Sequence, residues 1–283
     1  MHDRVMADVE VDVSVRERHV LRFGRVDRTL HGFLMFSFLG LALTGLPVLF
    51  SEAPWGRAMA RVLGGFTVIH VMHRGFATIM IAVFLIHVAR LVARVATRRD
   101  YSIFWGPASM VPQPKDLIDM YRHMLWFTGI GKPPLFDRYA YWEKFDYWAV
   151  FWGMAIIGGS GLLLWFPEAF ARVLPGWIFN IALLVHGEEA LLAVGFIFTI
   201  HFFNSHLRPQ KFPMDMVIFT GRVSEHELAD ERPAEYARMR ETLVDAGPPS
   251  RRAWLIGRVV GTAAVLLGLT VVTLVLYAVA SGR

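Results

Sequence analysis

Residues 66–95 read FTVIHVMHRGFATIMIAVFLIHVARLVARV, and this stretch decides the fold class. From Gly75 to Ala89 it contains no aspartate, glutamate, lysine or arginine, and its apolar residues do not alternate with polar ones as they would in a half-buried strand. A helix needs about 20 apolar residues to cross a hydrocarbon core of roughly 30 Å. The stretch therefore predicts a membrane-spanning helix that carries histidines within it.

Four other segments of the chain share this length and apolar character. Because open sheet edges cannot be satisfied in lipid, helices are expected throughout. The composition agrees, since 55% of the residues are hydrophobic and the mean hydropathy is +0.43, whereas soluble proteins are about 45–50% apolar. We predict an all-α integral membrane bundle with five transmembrane helices, at residues 30–50, 66–95, 147–166, 177–203 and 253–280.

The density of lysine and arginine in the loops predicts the orientation. Six precede the first span, nine occur from Arg90 to Lys144 and eight from Arg208 to Arg252, whereas the loops after the first and third spans hold two and one. Basic loops stay on the cytoplasmic side. We predict a multi-pass protein of the bacterial inner membrane with a cytoplasmic N-terminus and a periplasmic C-terminus. Residues 1–29 have no apolar core and are expected to be cytoplasmic, not a signal peptide.

The absence of cysteine excludes several redox centres. Disulfides, cysteine-ligated iron–sulfur clusters and covalently attached c-type haem all require cysteine. A redox metal in this chain must be held by histidine, methionine or carboxylate. The net charge of +5 is carried by the loops of a membrane protein, so it predicts no nucleic-acid partner.

Seven of the eleven histidines lie in or at the ends of the predicted spans, where ionisable residues are rare and functional. These seven are His31, His70, His73, His87, His186, His201 and His206. His73 and His87 are 14 residues apart, and His186 and His201 are 15 apart. Such separations are roughly 21 Å along a helix and return to nearly the same face.

The second and fourth spans run in the same direction, so their histidines should match in depth. His73 is predicted to lie level with His186 near the outer surface. His87 is predicted to lie level with His201 near the inner surface. Two haems stacked across the bilayer, each between two imidazoles, fit this pattern.

Short motifs carry a resemblance to a known family. They are Asp27-Arg28-Thr29-Leu30-His31 and Thr44-Gly45 at the two ends of the first span, and Leu184-Val185-His186 and Thr199-Ile200-His201 in the fourth. Over roughly residues 25–208 the chain resembles the membrane cytochrome b subunits of formate dehydrogenases, with relatives in thiosulfate reductases and hydrogenases. The resemblance implies two bis-histidine b-type haems and quinone or quinol as the substrate.

The resemblance also implies which histidines ligate the haems, because the family takes one ligand from the first helix, one from the second and two from the fourth. On this basis His186 pairs with His73 at the outer haem, and His201 pairs with His31 at the inner haem. The sequence departs from the family pattern by having a fifth span and by having His87, a rival partner for His201. The choice between His31 and His87 stays open.

Other candidates complete the predicted site. His70 is an alternative to His73, and a third haem would use the spare histidines. Arg74, Arg90 and Arg208 are candidates to meet haem propionates, because guanidinium groups pair well with carboxylates. By resemblance the quinone binds near the inner haem. The candidates for this inner quinone site are His206, Arg208 and Lys211. The candidates for proton relay at an outer quinone site are Glu188 and Glu189.

The predicted organisation has four parts. They are a cytoplasmic N-terminal segment (1–29), a four-helix haem-binding core (30–208) with a cytoplasmic loop (96–145), a cytoplasmic segment (209–252) and a fifth transmembrane helix (253–283). The predicted function is electron transfer between the quinone pool and an iron–sulfur or multihaem cytochrome c subunit on the outer face, within a hetero-oligomeric complex. The alternative is a proton-coupled transporter that uses intramembrane His and Glu, which leaves the matched histidine spacings unexplained.

Overall fold

The computed structural model describes residues 17–281 and is 72% helical. Residues 1–16 of the predicted N-terminal segment, and residues 282 and 283, lie outside the described part. Within the described residues, five helices are long and apolar enough to cross a membrane, so the predicted all-α membrane bundle is confirmed. These helices are α1 (Arg25–Leu49), α2 (Phe66–Arg98), α3 (Tyr141–Trp165), α4 (Trp177–Leu207) and α5 (Arg251–Ala280).

The loops divide the bundle into two ends. Residues 50–65 and 166–176 form what we call the short-loop end, with helices Pro54–Val62 and Pro167–Phe170. Residues 99–140 and 208–250 form the long-loop end. Its short helices are Tyr101–Ile103, Pro114–Phe127, Val217–Thr220, Glu225–Glu231 and Pro233–Met239. At the same end β1 (His19–Leu21) pairs antiparallel with β2 (Arg222–Ser224).

The long-loop end is a folded polar cap and not a set of free loops. Glu235 is buried between two arginines, with 2.9 Å to Arg22 and 3.0 Å to Arg138. Lys144 at the start of α3 is also buried and lies 2.8 Å from Asp116. Charged groups are stable in such places only when they are paired. These pairs therefore tie the N-terminal strand and both long loops to the start of α3.

The fifth helix packs against the bundle through small residues and aromatic rings. Buried residues of α1, α4 and α5 form one apolar cluster: Ala42, Leu46, Val194, Phe198, Phe202, Ala264 and Val271. At Gly268 an added Cβ would lie only 2.5 Å from the Phe198 ring. The helix α5 therefore supports the part of α4 that carries His201.

All five helices extend two to six residues further toward the long-loop end than predicted, and α3 and α4 are the two that concern the histidines. The helix α3 begins at Tyr141, six residues before the predicted start, because the Glu143 carboxylate accepts a hydrogen bond from the Ala140 backbone N–H at 2.7 Å and caps the helix. The helix α4 continues to Leu207 through π-helical turns. Because of these two extensions, polar residues near the long-loop end, such as Asp146 and His206, belong to membrane helices.

Candidate functional site

A cavity of about 2950 Å³ runs through the bundle between the spans. Pockets for small ligands are typically about 300–1,000 Å³, so this space has room for large groups. Its walls are mainly apolar, yet all seven histidines of the predicted spans line it. The bundle therefore brings these histidines together around one interior space.

His73 of α2 and His186 of α4 face each other across the cavity near the short-loop end. Their ring centroids are 6.2 Å apart and their planes make an angle of 73°. Two metal–imidazole bonds of about 2 Å each, with a ring radius of about 1 Å on each side, give a separation of about 6 Å. The distance between these rings therefore matches that of two imidazoles on opposite sides of one metal ion.

The hydrogen bond of His186 fixes its tautomer. Its Nδ1 lies 3.0 Å from the backbone carbonyl of Ile157, which can only accept, so Nδ1 carries the proton. Ile157 belongs to the π-helical segment Met154–Gly158 of α3, where the regular hydrogen-bond ladder is interrupted. The lone pair of Nε2 is then free to bind a metal.

The hydrogen bonds of His73 give the same result. The Thr44 hydroxyl donates to the Gly40 carbonyl at 2.7 Å, so its oxygen accepts from Nδ1 of His73, which is 2.9 Å away. Nε2 of His73 therefore keeps its lone pair as well. In both His73 and His186, therefore, Nε2 is the unprotonated nitrogen.

Two glycines allow these rings to pack against neighbouring helices. A Cβ added at Gly161 would lie 2.9 Å from Cε1 of His186, and one added at Gly45 would lie 3.3 Å from Cε1 of His73. Any larger residue at Gly161 would displace the imidazole or the helix. The two glycines therefore leave the space that the imidazole rings occupy. No sequence pattern marks Gly161 for this role.

A second group of histidines lies toward the long-loop end. Nδ1 of His201 is 2.9 Å from Oδ2 of Asp146 at the start of α3, and this carboxylate holds the proton on Nδ1. His31 of α1 lies close enough to His201 and His206 to interact with them electrostatically. Within residues 17–281, no three His, Asp or Glu side chains converge to hold a metal ion.

His87 is held differently from the other histidines. Its Nε2 lies 2.9 Å from the Tyr147 hydroxyl, and its ring packs 6.4 Å from that of Phe151. The nitrogen that is free in His186 is therefore engaged in His87. Between residues 17 and 281, His87 makes no hydrogen bond or ring contact with His201.

The remaining candidates near the short-loop end have separate partners or exposed side chains. The Arg74 guanidinium stacks on the Trp165 ring at 5.6 Å. Glu189 accepts a hydrogen bond from the indole N–H of Trp152 at 3.3 Å, and Glu188 is exposed. His70 is exposed at the cavity wall, one turn before His73.

The candidates near the long-loop end are mostly bound in ion pairs. Lys211 is buried, which lowers its pKa, but nearby carboxylates outweigh burial and raise the pKa above its usual value. Arg208 pairs with Glu231 at 3.0 Å and lies over the Trp142 ring. His206 is buried, and its Nδ1 has no hydrogen-bond partner in the described part of the chain. The carboxylates around Lys211 are Asp215, Glu227 and Glu231.

Sequence reasoning did not identify the polar side chains that hold the histidines, and two of these are neighbours in the sequence. Asp146 and Tyr147 lie side by side at the start of α3 and bind His201 and His87. The signal for Asp146 was an acidic residue directly before a predicted span. That signal was not used because the predicted span began at Tyr147.

These features define a helical membrane protein whose interior presents facing imidazoles with free Nε2 lone pairs. The chain is 24% identical over 179 residues, which is 63% of its length, to the cytochrome b556(fdo) subunit of formate dehydrogenase from Escherichia coli strain K12, and the match covers 75% of that subunit. The subunits of Escherichia coli O6:H1 and O157:H7 match to the same extent. No protein-family model matches the chain. The similarity supports the resemblance to membrane cytochrome b subunits and an electron-transfer role.

Proposed function

We propose that this chain is a membrane cytochrome b that transfers electrons through two b-type haems between quinone and a partner redox subunit. One observation carries the proposal. His73 and His186 are 6.2 Å apart across an apolar cavity, and each donates its Nδ1 proton to a neighbouring helix. Such anchoring leaves Nε2 to the metal and fixes the orientation of the ring.

The proposed ligand pairs are His73 with His186, and His31 with His201. His31 is preferred to His87 because Nε2 of His87 is already bonded to Tyr147. A haem with two imidazole ligands has no open coordination position and supplies one-electron transfer when bound. The role of this chain is to hold the rings, exclude water from the cavity and set the local charge.

Quinone exchange is proposed at the long-loop end, beside the His31–His201 pair. Quinone chemistry moves protons with electrons, so a titratable group within hydrogen-bond reach is required. His206 is suited to this role, because its Nδ1 is buried without a partner among residues 17–281. Arg208 and Lys211 are bound to carboxylates and are proposed to shape the wall of that site.

The proposed orientation has the short-loop end on the outer face of the inner membrane. A partner that carries an iron–sulfur centre or several c-type haems would then dock near the His73–His186 pair. Arg74 is proposed to meet a propionate there, and Glu188 and Glu189 to relay protons at an outer quinone site. Because the chain has no cysteine, an iron–sulfur centre or a c-type haem would have to be supplied by the partner.

The test is a reduced-minus-oxidised visible spectrum of the purified chain with a haem count per polypeptide. We expect two b-type haems, and we expect His186→Ala to lose one and keep the other. His226→Ala is the control, because its side chain is 81% exposed on the surface of the long-loop end. Full haem content in His186→Ala would disprove the ligand assignment. Colourless wild-type protein would favour the proton-coupled transporter, and proton flux into vesicles would then be measured.

A further inference from the structure

The proposed haem ligands differ in the group that accepts their Nδ1 proton. His73 donates to the Thr44 hydroxyl and His186 to the Ile157 carbonyl, and both acceptors are neutral. His201 donates to the Asp146 carboxylate at 2.9 Å. The imidazoles at the short-loop end therefore donate to neutral acceptors, whereas His201 at the long-loop end donates to a charged one.

The charge of Asp146 is directed at His201. Its side chain is only 17% exposed, and its second oxygen, Oδ1, is buried without a hydrogen-bond partner in the part of the chain that the structure describes. Other partly or fully buried acids of the long-loop end are paired with arginine or lysine, as Glu235 and Asp116 are. Asp146 is instead paired with a histidine inside the membrane bundle.

A carboxylate on Nδ1 changes the donor strength of the imidazole. It draws the Nδ1 proton toward itself, which makes Nε2 more electron-rich and a stronger ligand. A stronger ligand stabilises the oxidised over the reduced iron and so lowers the reduction potential. A neutral carbonyl or hydroxyl has this effect to a smaller degree, because a charged acceptor makes the stronger hydrogen bond.

We propose that Asp146 is a positioning residue that lowers the reduction potential of the haem held by His201, and so sets it apart from the haem between His73 and His186. The inference rests on the proposed function, since it requires both haems. Asp146 would act through His201, whose Nδ1 it holds. The carboxylate also fixes the ring orientation, which the neutral acceptors do at the other end.

The experiment is a potentiometric titration of the haem spectrum in the purified full chain. Asp146→Asn removes the charge and keeps an acceptor oxygen. Asp146→Thr supplies a hydroxyl of the type that holds His73. In each we expect one of the two haem potentials to rise by at least about 59 mV, which is a tenfold change in the one-electron reduction constant. The other potential should not move, and Asp146→Glu should restore the lower value.

The matched control is Asp100→Asn, which removes a carboxylate of the same end that binds Arg94 and Ser102 and no histidine. It should leave both potentials unchanged. Two haems with unchanged potentials in both neutral variants would overturn this inference and leave the proposed function intact. Loss of the haem at His201 from both Asp146→Asn and Asp146→Thr, with retention in Asp146→Glu, would also overturn the inference. Asp146 would then have a purely structural role. A wild-type chain without haem would instead overturn the proposed function.

Discussion

A histidine has two ring nitrogens, and the structure distinguishes the histidines of this chain by which one is engaged. His73, His186 and His201 are bonded through Nδ1, whereas His87 is bonded through Nε2. Metal ligation through Nε2 needs a partner on Nδ1 that holds the proton. The difference separates candidate ligands that sequence spacing alone treats as equivalent.

This difference predicts unequal effects of two substitutions. His31→Ala should lose one of the two proposed haems, because the proposed partner of His201 is removed. His87→Phe should keep both, because only the hydrogen bond to Tyr147 is lost. The haem-to-protein ratio of each purified variant is the measurement. Loss of a haem from His87→Phe with retention in His31→Ala would reverse the assignment.

His123, which lies outside the spans, predicts a pH dependence. Burial against aromatic rings, helped by Arg208, lowers its pKa below the usual value of about 6.5. The unfolded segment therefore binds a proton more readily than the folded one, and stability falls as the pH drops below about 6.5. Amide hydrogen exchange in helix Pro114–Phe127, corrected for pH, should speed up from pH 7 to pH 5.

The control for this prediction removes the titrating group. His123→Phe should keep the aromatic packing on Phe127, whose ring centroid is 4.4 Å away, and should lose the pH dependence. His226→Phe changes an exposed histidine and should leave the dependence in place. An equal response to acid in His123→Phe would assign the effect to other groups.

The site residues were only partly predictable from the sequence. Intramembrane histidines are conspicuous because ionisable residues are rare in spans, so the sequence singles out His73 and His186, and the structure places both on the wall of one cavity. Their acceptors were not accessible to the same reasoning. Ile157 contributes a backbone carbonyl in a π-helical turn, and no side-chain pattern marks it. Asp146 was overlooked because hydropathy placed the start of the span at Tyr147.

At the scale of elements, the spans were predictable because hydropathy sums over about 20 residues. The starts of α2 and α4 agree with the prediction at residues 66 and 177. The start of α3 does not, because Glu143 caps a helix turn that is too polar to register as a span. The rotation of α2 against α3, which brings His87 to Tyr147, also could not be predicted.

The packing of α5 on α4 predicts a steric effect at Gly268. A Cβ there would lie 2.5 Å from Phe198 and 3.0 Å from Phe202, two rings on the helix turns around His201. Gly268→Leu should therefore destabilise the protein by about 1–3 kcal/mol, as overpacked cores are. Its midpoint of thermal inactivation in detergent should fall, and the spectrum of the haem at His201 should change.

Ala263→Leu is the matched control for this substitution. Ala263 lies on the same helix with an exposed side chain, so the added volume meets no neighbour. It should behave as wild type. Equal destabilisation by both variants would assign the effect to helix insertion and not to contact with the phenylalanines.

At the scale of the whole molecule, the two ends differ in composition as well as in loop length. The long-loop end carries buried ion pairs such as Arg22–Glu235, while the short-loop end has few charges. Basic segments stay on the cytoplasmic side, and the folded cap would then face the cytoplasm. The sidedness determines which haem meets the partner subunit, so it bears directly on the proposed function.

The absence of cysteine makes this sidedness directly testable, since any introduced cysteine is unique in the chain. Glu52 at the short-loop end has a 98% exposed side chain, and Glu241 at the long-loop end has an 86% exposed one. In spheroplasts a membrane-impermeant maleimide should label Glu52→Cys, and it should label Glu241→Cys only after lysis. The reverse pattern would place the polar cap outside. The haem at His201 would then face the partner, and the quinone site proposed beside it would lie on the outer side.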